Sequence, residues 1–161
     1  MASDTDHALI PADLFKGTIH SFRNWPDVPL QKGPPGVYTV WDTSTFLYVG
    51  ISWKEPSSGS SSPGLWGRLQ SHASGQRSGD QFCLYICDRF VLPELGRKEL
   101  REVSAGQRSL NQMTRDFIRD RLAFRFVTTT TGKEARLIES HIRRQGMPGH
   151  GQPFLNPLNN S

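Results

Sequence analysis

The sequence predicts an α+β fold, a small three- to four-stranded, mainly antiparallel sheet flanked by helices. Three observations predict it. Two β-rich runs, residues 37–41 and 46–51, are joined by four turn-type residues, which makes a hairpin. Later segments repeat apolar residues at helical spacing. The chain has 161 residues, 35% of them hydrophobic and 21% charged, an ordinary balance for one globular domain with its own core.

Taken in order, residues 1–35 read as a lead-in. Positions 8–22 form a helix or an irregular stretch, and FRNWPDVPLQKGPPG is a Pro/Gly-rich connector into the first strand. Residues 36–161 read as the folded domain. VYTVW favours a strand, DTST a turn, and FLYVGI the returning strand. Residues 54–64, KEPSSGSSSPG, are a low-complexity loop. Residues 65–74 put Leu65, Trp66, Leu69 and Ala73 on one helical face. Residues 81–92, QFCLYICDRFVL, are rich in aromatic and branched side chains and read as another strand. Residues 93–107 are charged without a clear period, and 81–107 together form an insert, either a recognition element or an edge of the sheet. Residues 110–122 form a helix with Met113, Phe117 and Ile118 inward, 123–129 a strand, and 132–145 a helix with Ala135, Ile138 and Ile142 on its apolar face. The Pro/Gly-rich tail wraps the surface.

Charge and cysteine usage narrow the class. The net charge is +4, and arginine outnumbers lysine 14 to 5. Arginine forks match phosphate oxygens, so a polyanionic partner is consistent with the composition. No apolar run is long enough to span a bilayer. MASDTDHALIPADLF has early acidic residues and no basic stretch followed by an apolar one, so the expected location is the cytoplasm. Cys83 and Cys87 lie four apart with no companion metal ligands, and a disulfide within one strand has poor geometry. They read as small buried apolar groups.

Five side chains form a chemically coherent set. Tyr38 and Tyr48 share a face if the hairpin has a three- or five-residue loop. Arg68 and His72 are neighbours at i, i+4, beside the apolar face of their helix. Glu139 and Glu134 flank opposite borders of the apolar face of the last helix, and helical geometry alone does not choose between them. Tyrosine, arginine, histidine and one glutamate suit hydrolysis of a phosphodiester. The carboxylate holds a divalent cation through oxygen, arginine clamps the phosphate oxygens, and a phenol or imidazole takes a proton from water.

GVY, nine residues, then YVG resembles the namesake motif of the GIY-YIG nuclease superfamily. GLWGRLQSH resembles its motif helix, GKEARLIESHI resembles the glutamate helix of its excinuclease members, and FLNPLN resembles the terminal asparagine segment. The arginine-histidine pair is similar to that of phage-type homing endonucleases. The resemblance implies a metal-dependent DNA endonuclease with one Mg²⁺ or Mn²⁺, cutting in one step without a covalent intermediate. It assigns Tyr38 as general base, Tyr48 as the group orienting water or phosphate, Arg68 as the transition-state clamp and His72 as the proton partner. Glu139, the second acid of its helix, becomes the metal ligand, with Gly36, Gly50 and Asn156 supporting. A phenol of ordinary pKa, about 10, is a weak base at neutral pH, so the metal and Arg68 must lower it or His72 must accept its proton. A core without a separate DNA-binding module calls for a homodimer or a recruiting protein to hold DNA firmly. The alternatives are an RNA endonuclease, or a module of this type that binds nucleic acid or protein without cutting.

Overall fold

The structure, a computed structural model, describes residues 9–54 and 63–158. Among the described residues, four strands form one antiparallel sheet: β1 (His20–Ser21), β2 (Gly36–Asp42), β3 (Thr45–Ser52) and β4 (Leu122–Thr128), in the order β1-β4-β2-β3. The helices are α1 (Gly64–Ser74), α2 (Gln81–Ile86), α3 (Arg97–Ser104), α4 (Leu110–Arg121) and α5 (Gly132–Gln145). The α+β class is as the sequence predicts. Most of the 54–64 loop lies outside the described residues.

Alternation along β2 divides the interior in two. Tyr38 and Val40 point to one side, where Leu65 and Leu69 of α1, Phe82 and Ile86 of α2 and Ile118 of α4 close over them. Val37 and Trp41 point to the other, against Ala135, Ile138 and Ile142 of α5. The lead-in packs on both sides: Ile10 and Leu14 join the α5 core, and Phe22, Trp25 and Leu30 the α1 core. Its own structure is short 3₁₀ turns plus β1, whose two residues pair with Ala123 and Phe124. On α4, Thr114 and Ile118 are fully buried while Met113 and Phe117 are only partly covered.

Residues 81–92 correct the sequence reading. They are not a strand but helix α2, continued by a π-helical turn at Cys87–Val91. Asp80 explains the start: its carboxylate accepts from the Cys83 N–H at 3.0 Å, an N-cap that satisfies one of the helix's orphan donors. The buried positions, Phe82, Cys83, Ile86 and Cys87, then recur with helical rather than alternating spacing. The β-forming composition is overridden by burial on one helical face. Both cysteines are free and buried, on that face rather than on a strand. The charged stretch that follows contains α3, which buries no residue completely.

The tail docks along the outer edge of β3. The Phe154 and Leu155 amides donate to the carbonyls of Phe46 and Leu47, which covers an otherwise open strand edge. Among the described residues, no helix is long and apolar enough to cross a membrane.

Candidate functional site

A cleft of about 490 Å³ opens where the end of β3, the first turns of α1 and the middle of α5 meet. Tyr48, Gly50, Arg68, Ser71 and Glu139 are among the residues that line it. These come from three elements far apart in sequence.

The hairpin puts both tyrosines on one face by an irregularity. Asp42 pairs with Thr45 and Trp41 with Phe46, so Thr43 and Ser44 form a two-residue loop, with Thr43 at φ 53°. An unbroken register from that loop would set Tyr38 opposite Val49 and send the two phenols to opposite faces. The register instead shifts between Val40 and Trp41, leaving Leu47 as the extra residue of a bulge in β3. Val40 then faces Tyr48, Tyr38 faces Gly50, and the tyrosine rings lie 6.3 Å apart between centroids. The shared face expected for a three- or five-residue loop is therefore reached by a shorter loop and a bulge. Gly50 completes the arrangement, because a Cβ there would sit 2.2 Å from the Tyr38 hydroxyl. Gly36 packs elsewhere: its missing Cβ makes room for the Val127 carbonyl and Leu65.

Tyr38 and His72 lie behind the cleft wall, both with 0% exposure. His72 is thus not at the rim of α1, as its flanking position suggested. Helix α2 covers it, with Phe82 4.5 Å away between ring centroids. The Tyr38 hydroxyl is 2.5 Å from His72 Nε2, and His72 Nδ1 is 2.7 Å from Asp80 Oδ2. Asp80 also accepts from Ser71 Oγ at 2.5 Å. Only the imidazole can donate to an ionised carboxylate, so Nδ1 carries the proton and the Nε2 lone pair takes the Tyr38 O–H.

The electrostatics agree with that tautomer. Burial lowers the His72 pKa below its ordinary value, against the pull of Asp80, and favours the neutral ring. Burial would raise Asp80, but the donors from His72, Ser71 and the Cys83 amide hold it well below the usual carboxylate range. Burial raises Tyr38 well above the ordinary phenol, with Tyr48 adding and Arg68 opposing. The same burial pushes Tyr48 up to about 12, again opposed by Arg68. Arg68, exposed on α1, acts on both phenols through its charge.

Asp80 belongs to this chain of contacts and was not among the residues singled out from the sequence. The signal was present: an Asp directly before apolar residues at helical spacing is an N-cap pattern. Reading 81–92 as a strand concealed it.

The two glutamates of α5 separate cleanly. Glu139 is half-buried in the cleft, where burial raises its pKa and Arg143, Arg136 and Arg68 oppose the rise. Glu134 is exposed in the first turn, where its carboxylate accepts from the Thr130 N–H at 3.0 Å while its own N–H donates to the Thr131 hydroxyl at 3.1 Å. Asn156 braces the site through the backbone: its side chain donates to the Val49 carbonyl at 2.7 Å and accepts from the Val49 N–H at 3.2 Å. Val49 sits between Tyr48 and Gly50, so this clasp holds the cleft-lining part of β3.

Among the described residues, no three His, Cys, Asp or Glu side chains group around a metal position. Among the described residues, the cleft offers one carboxylate, Glu139, and Tyr48, Ser52 and Ser71 also line it. That donor set fits a magnesium-type ion, which keeps several waters and is held by one or two carboxylates together with substrate phosphate. It does not fit a zinc site, which needs three or four nitrogen, sulfur or carboxylate ligands.

Comparison with protein-family models, curated proteins and solved structures finds no match for the chain.

Proposed function

We propose that the protein is a phosphodiester hydrolase acting on nucleic acid and, within that class, a GIY-YIG-type endonuclease that cuts DNA with one Mg²⁺ or Mn²⁺ ion. The observation that carries the reading is convergence. Tyr48, Arg68 and Glu139 line one cleft, and Ser71, which also lines it, donates to Asp80 of the buried Tyr38–His72–Asp80 chain. Packing alone gives no reason to collect two phenols, a guanidinium, an imidazole and two carboxylates here.

Arg68 holds the non-bridging phosphate oxygens and stabilises the charge that grows on them as water attacks. Tyr48 orients the phosphate or the water. Glu139 holds the divalent ion, which when bound neutralises charge on the phosphate and the leaving oxygen. Tyr38 is too high in pKa to stand ready as phenolate, so proton transfer runs through it as a relay. If substrate binding opens the wall at Gly50 so that water reaches the buried Tyr38 oxygen, the water oxygen bonds phosphorus while its proton passes to Tyr38, and the Tyr38 proton passes to His72 Nε2. The bond from phosphorus to the leaving oxygen breaks, and that oxygen takes a proton from solvent. The imidazolium formed is stabilised by Asp80, as in other carboxylate-oriented histidine bases.

Supercoiled plasmid incubated with the protein and Mg²⁺ or Mn²⁺ should become nicked or linear, and a chelator should stop it. An RNA-only cut would keep the chemistry and change the polymer. Failure to cut either polymer with either ion removes the enzyme reading and leaves a binding module.

A further inference from the structure

The cleft continues past its catalytic residues onto a surface that the hydrolytic mechanism does not use. Trp53 follows β3 directly and is 54% exposed, unusual for an indole beside a buried core. It lines the main cleft together with Lys54. It also lines a neighbouring cavity of about 430 Å³ with Gly132, Lys133 and Arg136. The Arg136 guanidinium lies over the indole, 5.6 Å from its centroid. One aromatic face is therefore steadied by a cation, and Lys54 and Lys133 line the two cavities that Trp53 borders.

The position of this indole is built in. A Cβ at Gly132 would lie 1.9 Å from the Trp53 carbonyl oxygen, so the first turn of α5 can approach the end of β3 only with glycine there. The same helix carries Glu139 into the cleft one turn beyond Arg136. The spacing between the platform and the cleft is thus fixed by one rigid element.

We propose that Trp53 is a stacking platform for an unpaired base next to the scissile phosphate, with Lys54, Lys133 and Arg136 contacting the phosphates beyond it. This rests on the nuclease reading and adds a substrate class: a nucleic-acid strand that is single or locally opened at the cut. A flat π-face flanked by cations is how proteins grip single strands without reading sequence. An unopened duplex keeps its bases stacked and offers none to the indole.

The test is binding measured by fluorescence anisotropy, in chelator so that nothing is cut. Short labelled oligothymidylate and oligouridylate supply the single strands, and a blunt DNA duplex supplies the control. Trp53→Ala should weaken single-strand binding about tenfold, the scale of losing one base stack, and duplex binding less than twofold. Trp53→Phe should retain most of the affinity, and the quenching of indole emission on binding should fall away in that variant. Lys133→Ala with Arg136→Ala should flatten the dependence of single-strand affinity on salt by roughly 0.7 per lost phosphate contact. The proposal is overturned if wild-type protein does not bind either single strand at low salt. It is also overturned if Trp53→Ala binds them as wild type does, or loses duplex binding equally. Binding that follows the expected pattern in a protein that never nicks plasmid would keep the platform and remove the nuclease.

Discussion

The two sides of the sheet both bury polar groups, and they do so differently. On the α5 side, Thr39 is wholly buried, its hydroxyl donates to the Leu14 carbonyl at 2.7 Å, and it accepts from the Trp41 indole N–H at 2.8 Å. That network begins and ends inside the protein. On the α1 side, the Tyr38–His72–Asp80 chain is just as buried, but Ser71 of the cleft donates to it and the charge of Arg68 in the same cleft acts on its phenol. Adjacent residues of one strand, Tyr38 and Thr39, serve the two networks. A closed polar network holds a core in register, whereas one that leads to a cleft can pass charge or protons to a ligand. The difference between them is what the following experiments can break.

The largest effect is expected at the cleft end. Arg68→Ala should lower nicking by about 10³-fold, the scale of removing a donor aimed at transition-state charge, with the melting temperature nearly unchanged because the residue is exposed. Arg68→Lys should restore little, since an ammonium lacks the planar fork. Equal nicking by Arg68→Ala would mean that the α1-side network is as closed as the other.

Asp80→Asn probes the far end of the same chain. The amide can still accept from the Cys83 N–H, so α2 keeps its cap. Its NH₂ can also donate to His72 Nδ1, which would move the imidazole proton to Nε2 and point a donor at Tyr38. Nicking should fall about 10²-fold or more, as when a carboxylate that orients a base is neutralised. Nitrogen NMR of the His72 ring should report the change of tautomer whether or not the protein cuts. An unchanged tautomer would remove Asp80 from the relay.

On the closed side, Thr39→Val should cost about 1–3 kcal/mol of unfolding free energy, because it leaves the Trp41 N–H and the Leu14 carbonyl without a partner. Nicking per folded molecule should stay the same. Urea unfolding beside a plasmid assay at matched folded concentration checks both halves.

The sequence showed the hairpin, α1, α4, β4 and α5 because each writes its own period in apolar residues. It could not show β1, since two residues carry no period and His20 and Ser21 become a strand only by pairing with Phe124 and Ala123. Nor could it show the bulge at Leu47, although the shared face of the tyrosines depends on it, because register is fixed by packing on both faces. Asp80 was legible in principle, but the aromatic and branched run after it imitates a strand. Glu139 and Glu134 have the same chemistry, and helical geometry does not choose between them; the resemblance picks Glu139, and the structure places that residue in the cleft.

The pH dependence of stability should also divide the sides. Unfolded His72 binds a proton near its ordinary pKa of about 6.5, whereas burial lowers the folded value. Below that pH the unfolded state binds more protons, so stability falls as the solution is acidified. Asp80 is depressed in the folded state, so its contribution is present above the ordinary carboxylate pKa and is lost on further acidification. The two act in sequence with the same sign. His20 is also lowered by burial and adds a contribution of that sign. His72→Gln should flatten the decline between roughly pH 7 and 5 while the part owed to His20 remains. Thr39→Val should shift the whole curve without changing its slope. A wild-type curve that is flat across this range would contradict a buried neutral imidazole.

The smallest expected effect is at Glu134, and it distinguishes the two acids on α5. Glu139→Gln should abolish metal-supported nicking, because it removes the one carboxylate among the described cleft residues, and extra Mg²⁺ should recover little. Glu134→Gln is the same chemical change five residues earlier on the helix, outside the cleft. There the side chain accepts from the Thr130 N–H and sits in the first turn of α5, beside the Thr131 cap. Glutamine keeps an acceptor oxygen for that bond and loses only the charge near the helix N-terminus. The expected cost is about 0.3–1 kcal/mol of stability, reduced by added salt, with nicking within twofold of wild type. If Glu134→Gln instead stops cutting while Glu139→Gln does not, the metal lies on the other border of the helix. The cleft lined by Tyr48 and Arg68 would then not be the place where phosphate is cut.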